Sequence, residues 1–301
     1  MITTDISLAA KHLADCKVVA IPTETVYGLA ALVSCPDAVR QVFDIKNRPH
    51  DHPLILHLST SAVVDQWGTF NDDARKLAVT CWPGPLTLLV PRTRKVPDVV
   101  TGGRDSVAIR VPSHPTAQQL LTEVNDAVVA PSANTFGHVS PTSAQHVLDD
   151  LGGAIDVILD GGMCEIGIES TIVDCTVSPP QIVRPGAITQ HDVETVLGVG
   201  LDDMSGPSRA PGMLASHYAP RVPIELMNSL TEAQERISLL AKNNKNYMLL
   251  FDDDVASYAV HLYSKLRQAE INFDGVIAVL PKNAGVGIAV CDRLQKAAAP
   301  K

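Results

Sequence analysis

Residues 18–31 of this chain have the sequence VVAIPTETVYGLAA, in which a short apolar run is followed at once by polar side chains and a glycine. The run VVAIP has the length and β-branched content of a buried strand. Thr23, Glu24 and Thr25 then stand at its carboxyl end, where open α/β sheets bind ligands. Gly28 permits a close approach of backbone. A capped turn that satisfies its own backbone would have a similar composition, so this stretch alone leaves both interpretations open.

The same alternation of apolar runs and amphipathic segments continues to about residue 197. Helices are predicted to begin at Pro36, after an Asn71 cap, and at Pro141, the last one ending before Gly152. This pattern predicts an α/β domain with a mixed sheet and flanking helices. The further predicted strands lie at 54–58, 87–91, 107–112, 127–131, 156–160, 170–174 and 181–185.

A change of composition separates this domain from a second one. Residues 198–223 are rich in Gly, Pro, Ser and Met and show no apolar period, which is typical of a linker. Beyond them a strand and a helix alternate three times, and this predicts a small parallel, Rossmann-like three-layer domain. We therefore divide the 301 residues into a domain at 1–200, a linker at 201–222 and a domain at 223–301.

Composition excludes several classes of protein. Apolar residues make up 46% and charged residues 19%, and no apolar run approaches the roughly 20 residues that span a bilayer. The N-terminus lacks the apolar centre of a signal peptide, so we expect a cytoplasmic protein without membrane contact. The net charge of −9 argues against strong binding of nucleic acid. The six cysteines form no CxxC pair, and we expect them to be reduced.

The stretch KNRPHDHPLILH, residues 46–57, gathers basic and titratable side chains in an acidic chain. Lys46 and Arg48 lie at a predicted helix end, where the helix dipole favours cations in any case. Strand alternation places His57 on the face opposite the leucines, where a satisfied core histidine is the commoner case. The three histidines also permit a metal site, although no second ligand cluster supports it.

Polar side chains recur at the ends of other predicted strands. Arg110 lies four residues after Ser106, so both side chains point to one face of a strand. A buried arginine there needs an anionic partner from the protein or a ligand. Together these strand ends predict one small site for a polar, anionic ligand. The other members of the group are Ser132, Asn134, Ser140, Ser170, Thr171 and Arg184.

These motifs occur together and in one order: PTETVYGL, the K-x-R of residues 46–48, WPGPLT, VAIRVP, the S-x-N of residues 132–134, ESTI and RPG. In this combination the chain strongly resembles the L-threonylcarbamoyladenylate synthase family. The stretches at 210–220 and 280–298 are similar to the linker and last domain of the family's long form, which has a YrdC-like catalytic domain and a C-terminal accessory domain.

The resemblance implies a nucleotidyltransferase that converts L-threonine, bicarbonate and ATP into threonylcarbamoyl-AMP and pyrophosphate. A separate tRNA threonylcarbamoyl transferase would use this product in t6A modification of tRNA. Mg²⁺ would be held by the ATP phosphates rather than by side chains. Lys46 and Arg48 are the implied catalytic residues. The implied threonine site comprises Thr23, Thr25, His57, Arg110, Ala130 and Ser170. The implied ATP site comprises Arg48, His52, Ser106, Ser132, Asn134, Ser140, Arg184, His217 and Tyr218, the last two acting as a lid.

One position departs from the family's pattern. The family usually has Asn before the Pro-Leu pair, and His52 stands there in this chain. A neutral imidazole makes one hydrogen bond of an amide but cannot reproduce its paired donor and acceptor.

Two alternative functions are compatible with the same site: a non-catalytic RNA-binding or regulatory module, and a carbamoyl-transfer enzyme. The chain lacks the acylphosphatase and zinc-finger segments expected beside the second chemistry.

Overall fold

The computed structural model describes residues 1–201 and 217–300, and their strands form two sheets. The larger sheet has ten strands in the order β1-β8-β2-β3-β7-β4-β6-β5-β9-β10. Both parallel and antiparallel pairs occur in it, which confirms the predicted mixed sheet. Its strands are β1 (Ile2–Thr3), β2 (Val19–Ile21), β3 (Gly28–Leu32), β4 (Ile55–His57), β5 (Leu86–Pro91), β6 (Ser106–Arg110), β7 (Val128–Val129), β8 (Val157–Leu159), β9 (Thr171–Asp174) and β10 (Gln181–Arg184).

Helices pack against this sheet and carry the expected end signals at two of the three predicted starts. Asn71 accepts a hydrogen bond from the backbone N–H of Ala74 and so caps α3. The predicted start at Pro141 is wrong, because Ser143 provides the cap and the helix begins at Ala144. The helices are α1 (Ile6–Ala14), α2 (Pro36–Lys46), α3 (Asp72–Cys81), α4 (Asp98–Thr101), α5 (Pro115–Val124), α6 (Ala144–Leu151) and α7 (Gln190–Leu197), with a 3-10 helix at Ser61–Gln66.

The directions of the strands bring several strand ends to one edge of the sheet. Parallel strands β4 and β6 end there with His57 and Arg110. Strand β5 runs antiparallel to β6 and parallel to β9, so both begin at the same edge. Strand β10 runs antiparallel to β9 and ends there with Arg184. The topology therefore collects polar groups that are far apart in the sequence.

The second sheet has the predicted parallel arrangement. Strands β11 (Ile224–Met227), β13 (Gly275–Val279) and β12 (Tyr247–Leu250) pair in that order. Three helices accompany them, α8 (Leu230–Lys242), α9 (Val255–Asn272) and α10 (Val286–Ala298). Gly287 lies where an added Cβ would be 2.0 Å from the carbonyl oxygen of Lys282, so the start of α10 requires glycine.

The two sheets share a hydrophobic cluster. Val26, Val139 and Ile168 of the first part pack with residues of α9 and α10. Most of the predicted linker, residues 202–216, lies outside the described residues, and its proposed boundaries remain predictions.

The expectation that every cysteine is reduced is wrong for one pair. Cys16 and Cys35 form a disulfide, with their Cα atoms 5.5 Å apart. The fold places the turn after α1 beside the N-terminus of α2, a juxtaposition that sequence spacing does not reveal. The other four cysteines are free thiols: Cys81, Cys164, Cys175 and Cys291.

Within residues 1–201 and 217–300, no helix is both long enough and apolar enough to cross a bilayer.

Candidate active site

A cavity opens at the sheet edge where β4, β6 and β10 end. It lies between the loop after β2, the loop that follows β7 and the residues just before β9. Most of the residues predicted to be catalytic or to bind threonine or ATP line it: Thr23, Thr25, Lys46, Arg48, His57, Arg110, Ala130, Ser132, Asn134, Ser170, Arg184, His217 and Tyr218. The fold thus gathers these distant residues at one cavity, and their individual roles stay predictions.

Lys46 is the last residue of α2, and its side chain is only 1% exposed. The ammonium group donates hydrogen bonds to the carbonyl oxygens of Ser132 and Asn134, in the loop after β7. Burial lowers the pKa of Lys46 well below its ordinary value, and the adjacent positive charge of Arg48 lowers it further. An anionic ligand in the cavity would offset both effects.

Arg48 lies two residues beyond the helix, after a left-handed Asn47 that turns the chain. Its Nη2 donates to the carbonyl oxygen of Pro53 at 2.9 Å, and its guanidinium stands 5.3 Å from the ring centre of Phe136. Burial lowers the pKa of Arg48 to about 10, so the group remains a cation at neutral pH. The predicted placement of Lys46 and Arg48 at a helix end is confirmed.

Arg110 has the anionic partner that its position demanded. Its Nη2 lies 2.8 Å from Oε1 of Glu24, and Nη1 donates to the Thr25 hydroxyl at 2.8 Å. Thr25 and Thr23 are joined through their hydroxyl groups at 2.9 Å. Burial raises the pKa of Glu24, but the charge of Arg110, its hydrogen bond and backbone hydrogen bonds together outweigh this effect, and the net pKa is lowered. Glu24 is therefore an anion that fixes the arginine at the strand end.

Ser170, in the motif ESTI just before β9, is hydrogen-bonded to both Thr87 and Arg184. Its hydroxyl lies 2.8 Å from the hydroxyl of Thr87, at the start of the neighbouring strand β5. Arg184 donates from Nε to the Ser170 carbonyl at 3.0 Å and from Nη2 to the Ser170 hydroxyl at 2.9 Å. These contacts orient the guanidinium along the cavity wall.

His57 follows the predicted alternation in β4. Leu54, Leu56 and Leu58 lie in the main core. Ile55 and His57 line the cavity, and Leu54 contributes to the same wall. Burial is the main cause that lowers the pKa of His57 to about 3, and the positive charge of Arg110 is the next one. The ring is therefore neutral near pH 7. Its Nδ1 contacts the carbonyl oxygen of Ile55 at 3.2 Å.

Residues 217–219 cross the cavity as a short strap between the two sheets. The backbone N–H of His217 donates to Lys296 of α10, and that of Ala219 donates to Gly137. Between them Tyr218 has a φ of 61° and is only 1% exposed. The His217 ring meets Phe136 edge-on, and burial lowers the pKa of His217 to about 3.

Several buried polar atoms around the cavity lack a hydrogen-bond partner within residues 1–201 and 217–300. Unpaired buried polar atoms are costly and rare in native proteins, so their convergence in one cavity indicates a polar ligand. They are Nε of Arg48, Oδ1 of Asn134, Nδ1 of His217 and the hydroxyl of Tyr218.

Three predicted ATP contacts do not line the cavity. Ser106 begins β6, at the opposite end of the strand from Arg110. Ser140 is buried behind the wall, where its hydroxyl donates to Glu169 at 2.6 Å. His52 is half-buried and meets the Phe136 ring edge-on, 5.4 Å between ring centres. His50 stacks on Phe43 and bonds to Asp44, so the histidines of this stretch do not converge on one point.

The sequence analysis assigned no role to Phe136 or Glu169, and it named Glu24 only as a polar residue at the end of the first strand. Phe136 and Glu169 line the cavity, and Glu24 lies directly behind it as the partner of Arg110. Glu24 and Glu169 each stand beside a residue that was selected, in PTET and ESTI. The demand of buried arginines for carboxylates is the signal that could have identified both.

Comparison with known proteins places this geometry in a family. Residues 11–186 match the Sua5/YciO/YrdC family model, described as "Telomere recombination", and residues 188–299 match the model "Threonylcarbamoyl-AMP synthase, C-terminal domain". These two models define the class of protein: a YrdC-like domain joined to the C-terminal domain of the long form.

Individual relatives agree over nearly the full length. The chain is 36% identical to a threonylcarbamoyl-AMP synthase of Pyrococcus abyssi, covering 97% of this chain and 93% of the relative. It is 38% identical to that of Bacillus subtilis, covering 97% and 92%. The crystal structure of P. abyssi Sua5 complexed with L-threonine superposes with a TM-score of 0.91 at 36% identity, covering 97% of this chain and 94% of that one. The chain belongs to the threonylcarbamoyl-AMP synthase family.

Proposed function

We propose that this protein condenses L-threonine, bicarbonate and ATP to threonylcarbamoyl-AMP and pyrophosphate. The observation that supports this best is the group of four buried cations around one cavity, Lys46, Arg48, Arg110 and Arg184. Two anions, a carbamate and a triphosphate, have to meet in this reaction, and fixed cations reduce their repulsion. The similarity to a relative solved with L-threonine supports the amino-acid substrate.

The chemistry needs positioning more than proton transfer. The threonine nitrogen attacks bicarbonate carbon and water leaves, which gives a carbamate. A carbamate oxygen then attacks the α-phosphorus of ATP, and the bond to the β-phosphate oxygen breaks as pyrophosphate leaves. The carbamate is already an anion, so alignment and charge compensation dominate this second step. We assign alignment of the phosphates to Lys46, Arg48 and Arg184, and of the threonine carboxylate to Arg110.

Mg²⁺ is proposed to enter as part of the substrate, bound to the ATP phosphates. The two carboxylates nearest the cavity, Glu24 and Glu169, are each paired with an arginine. The donors that remain on the wall are cations, hydroxyls and amides, which suit phosphate oxygens rather than a divalent cation. The role of the ion would be to neutralise charge on the polyphosphate.

The threonine hydroxyl offers selectivity over valine. The hydroxyl groups of Thr25 and Ser170 are already held by Arg110 and Arg184, so their orientation is set before the substrate arrives. A fixed polar partner discriminates strongly against an analogue that lacks the hydroxyl, whereas one methyl group separates threonine from serine by only about 1 to 3 kcal/mol.

The product is a mixed anhydride, which we propose is passed to a tRNA threonylcarbamoyl transferase. A cytoplasmic location and weak binding of nucleic acid remain predictions from the sequence.

The test is a release assay with ATP, labelled bicarbonate and threonine. We expect pyrophosphate release and label incorporation that both require threonine and bicarbonate. Release that continues unchanged when either is omitted would exclude this reaction. Salt-sensitive RNA binding without threonine-dependent release would favour the RNA-binding alternative, and label transfer from carbamoyl phosphate would favour the carbamoyl-transfer alternative.

A further inference from the structure

Glu169 places a carboxylate in the wall of a cavity that is otherwise rich in cations. It stands just before Ser170 and is 6% exposed. Its Oε1 accepts from the Ser140 hydroxyl at 2.6 Å, and its Oε2 accepts from the Tyr263 hydroxyl at 2.8 Å. A negative charge in this position opposes the binding of phosphates unless it is compensated.

The compensation comes from the C-terminal domain. Arg293 of α10 has no exposed surface, and its Nε lies 2.9 Å from Oε2 of Glu169. Burial raises the pKa of Glu169, but the charges of Arg293 and Arg184, together with the hydrogen bonds, bring it to about 2. The carboxylate is therefore ionised at neutral pH, and Arg293 is its ion-pair partner.

The same arginine also contacts the strap. Its guanidinium stands 5.2 Å from the ring centre of Tyr218, and Nη2 donates to the carbonyl oxygen of Pro185 at 2.9 Å. Pro185 directly follows Arg184 at the end of β10. Arg293 thus touches three parts of the cavity wall: the carboxylate, the strap and the strand end that carries Arg184.

We propose that Arg293 is a positioning residue of the nucleotide site, which cancels the charge of Glu169 and holds Tyr218 over the cavity. The C-terminal domain is then a component of the ATP site and not only an attached unit. This inference rests on the proposed function, because it assumes that the anion bound in the cavity is ATP.

The experiment compares Arg293→Gln with the double variant Arg293→Gln/Glu169→Gln in the full-length protein. Loss of the arginine leaves a buried carboxylate facing the phosphates, so we expect ATP to bind at least about tenfold more weakly in a calorimetric titration. The KM for ATP should rise in parallel while the KM for threonine changes less than about twofold. Removal of the carboxylate in the double variant should restore ATP affinity to within about threefold of wild type.

Two further variants separate charge compensation from general damage to the interface. Arg293→Lys keeps the positive charge but not the several hydrogen bonds of the guanidinium, so its ATP affinity should lie between those of wild type and Arg293→Gln. Asp150→Asn removes a different ion pair of the same interface, Arg267 with Asp150 at 2.6 Å, and should leave the KM for ATP within about twofold. Circular dichroism and thermal melting establish which variants are folded.

The possible outcomes separate a failure of the proposed function from a failure of the role of Arg293. A wild-type protein that neither binds ATP nor releases pyrophosphate overturns the proposed function. An active wild type whose folded Arg293→Gln variant binds ATP normally overturns only the role of Arg293. The same conclusion follows if the double variant binds ATP no better than Arg293→Gln. If Arg293→Gln does not fold, the double variant decides. ATP binding within about threefold of wild type then supports the role of Arg293, and weaker binding overturns it.

Discussion

Lys46 shows how a single side chain combines stability and function at the residue scale. A buried ammonium group is costly unless it is paired, and here two backbone carbonyls hold it in place. Carbonyl dipoles compensate the charge only in part, which agrees with the lowered pKa of this group. A phosphate placed nearby would complete the compensation, so the residue gains its best partner only when ligand is bound.

Arg110→Ala should raise the KM for threonine more than the KM for ATP. The substitution removes the cation that we assign to the threonine carboxylate, and loss of a charged hydrogen bond costs about 1.5–3 kcal/mol, or roughly ten- to 150-fold. Steady-state kinetics with each substrate varied in turn provides the measurement. Equal effects on both KM values would contradict the assignment.

The same substitution also has a cost in stability. It leaves Glu24 buried without its partner, and breaking a buried ion pair costs about 3–5 kcal/mol. The matched control is the double variant Arg110→Ala/Glu24→Gln. It should recover most of the lost stability in urea denaturation but should not recover the KM for threonine.

At the element scale, the approach of β3 to the loop after β7 depends on Gly28. An added Cβ would lie 2.9 Å from the Cβ of Ala130, which also lines the cavity. Gly28→Ala should therefore destabilise the protein by about 1–3 kcal/mol through overpacking and weaken threonine binding. Urea denaturation and threonine titration test this prediction. Ala130→Gly in the same background should relieve the contact, and failure to do so would contradict the proposed cause.

The disulfide gives a second prediction at this scale. Cys16 and Cys35 are 19 residues apart in sequence, and closing a loop of this length stabilises a fold by about 3 kcal/mol in the chain-entropy model. Reduction should lower the free energy of unfolding by up to this amount, and Cys16→Ser should reproduce the effect. A free energy of unfolding that is the same with and without reductant would show that the bond does not form in solution.

Strand and helix assignments show which elements the sequence could reveal. Runs such as VVAIP and STIVD have strong β-branched content, and they form strands within one or two residues of the predicted bounds. Strand β3, GLAAL, was missed because glycine and alanine have little β-propensity, and its pairing with β2 and β7 comes from tertiary contacts. At α6 the proline at 141 was taken for a helix start, although Ser143 is the better cap.

At the scale of the whole molecule, two buried neutral histidines link stability to pH. Burial lowers the pKa of His57 and of His217 to about 3, against about 6.5 in an unfolded chain. The unfolded state therefore binds more protons as the pH falls below 6.5. The free energy of unfolding should decrease by about 1.4 kcal/mol per pH unit for each histidine until the pH approaches 3.

Urea denaturation at pH 7, 6 and 5 measures this slope. His57→Asn should remove the contribution of one proton from this slope. A slope that is the same in wild type and His57→Asn would contradict the assignment of a neutral His57 in the folded protein.

Part of the site could be predicted from the sequence, and the rest depends on how the whole molecule packs. Polar residues at strand ends can be recognised singly in the sequence, and the family's motif order groups them. The partners of those residues come from distant elements: Glu169 from the segment before β9 and Arg293 from the last helix, 124 residues further on. Only the packing of the two sheets against each other brings such pairs together, so the sequence indicates that a buried arginine needs a carboxylate but not which carboxylate it meets.

The pairing of Glu169 with Arg293 has a consequence for how this chain can be divided or recombined. One charge belongs to the catalytic half and its counter-charge to the accessory half, and both are buried. A chimera that joins this first half to a foreign second half with a neutral residue in place of Arg293 would inherit an uncompensated charge beside the proposed nucleotide site. Positions 169 and 293 therefore have to be exchanged as a unit, and a crossover within the strap would separate them.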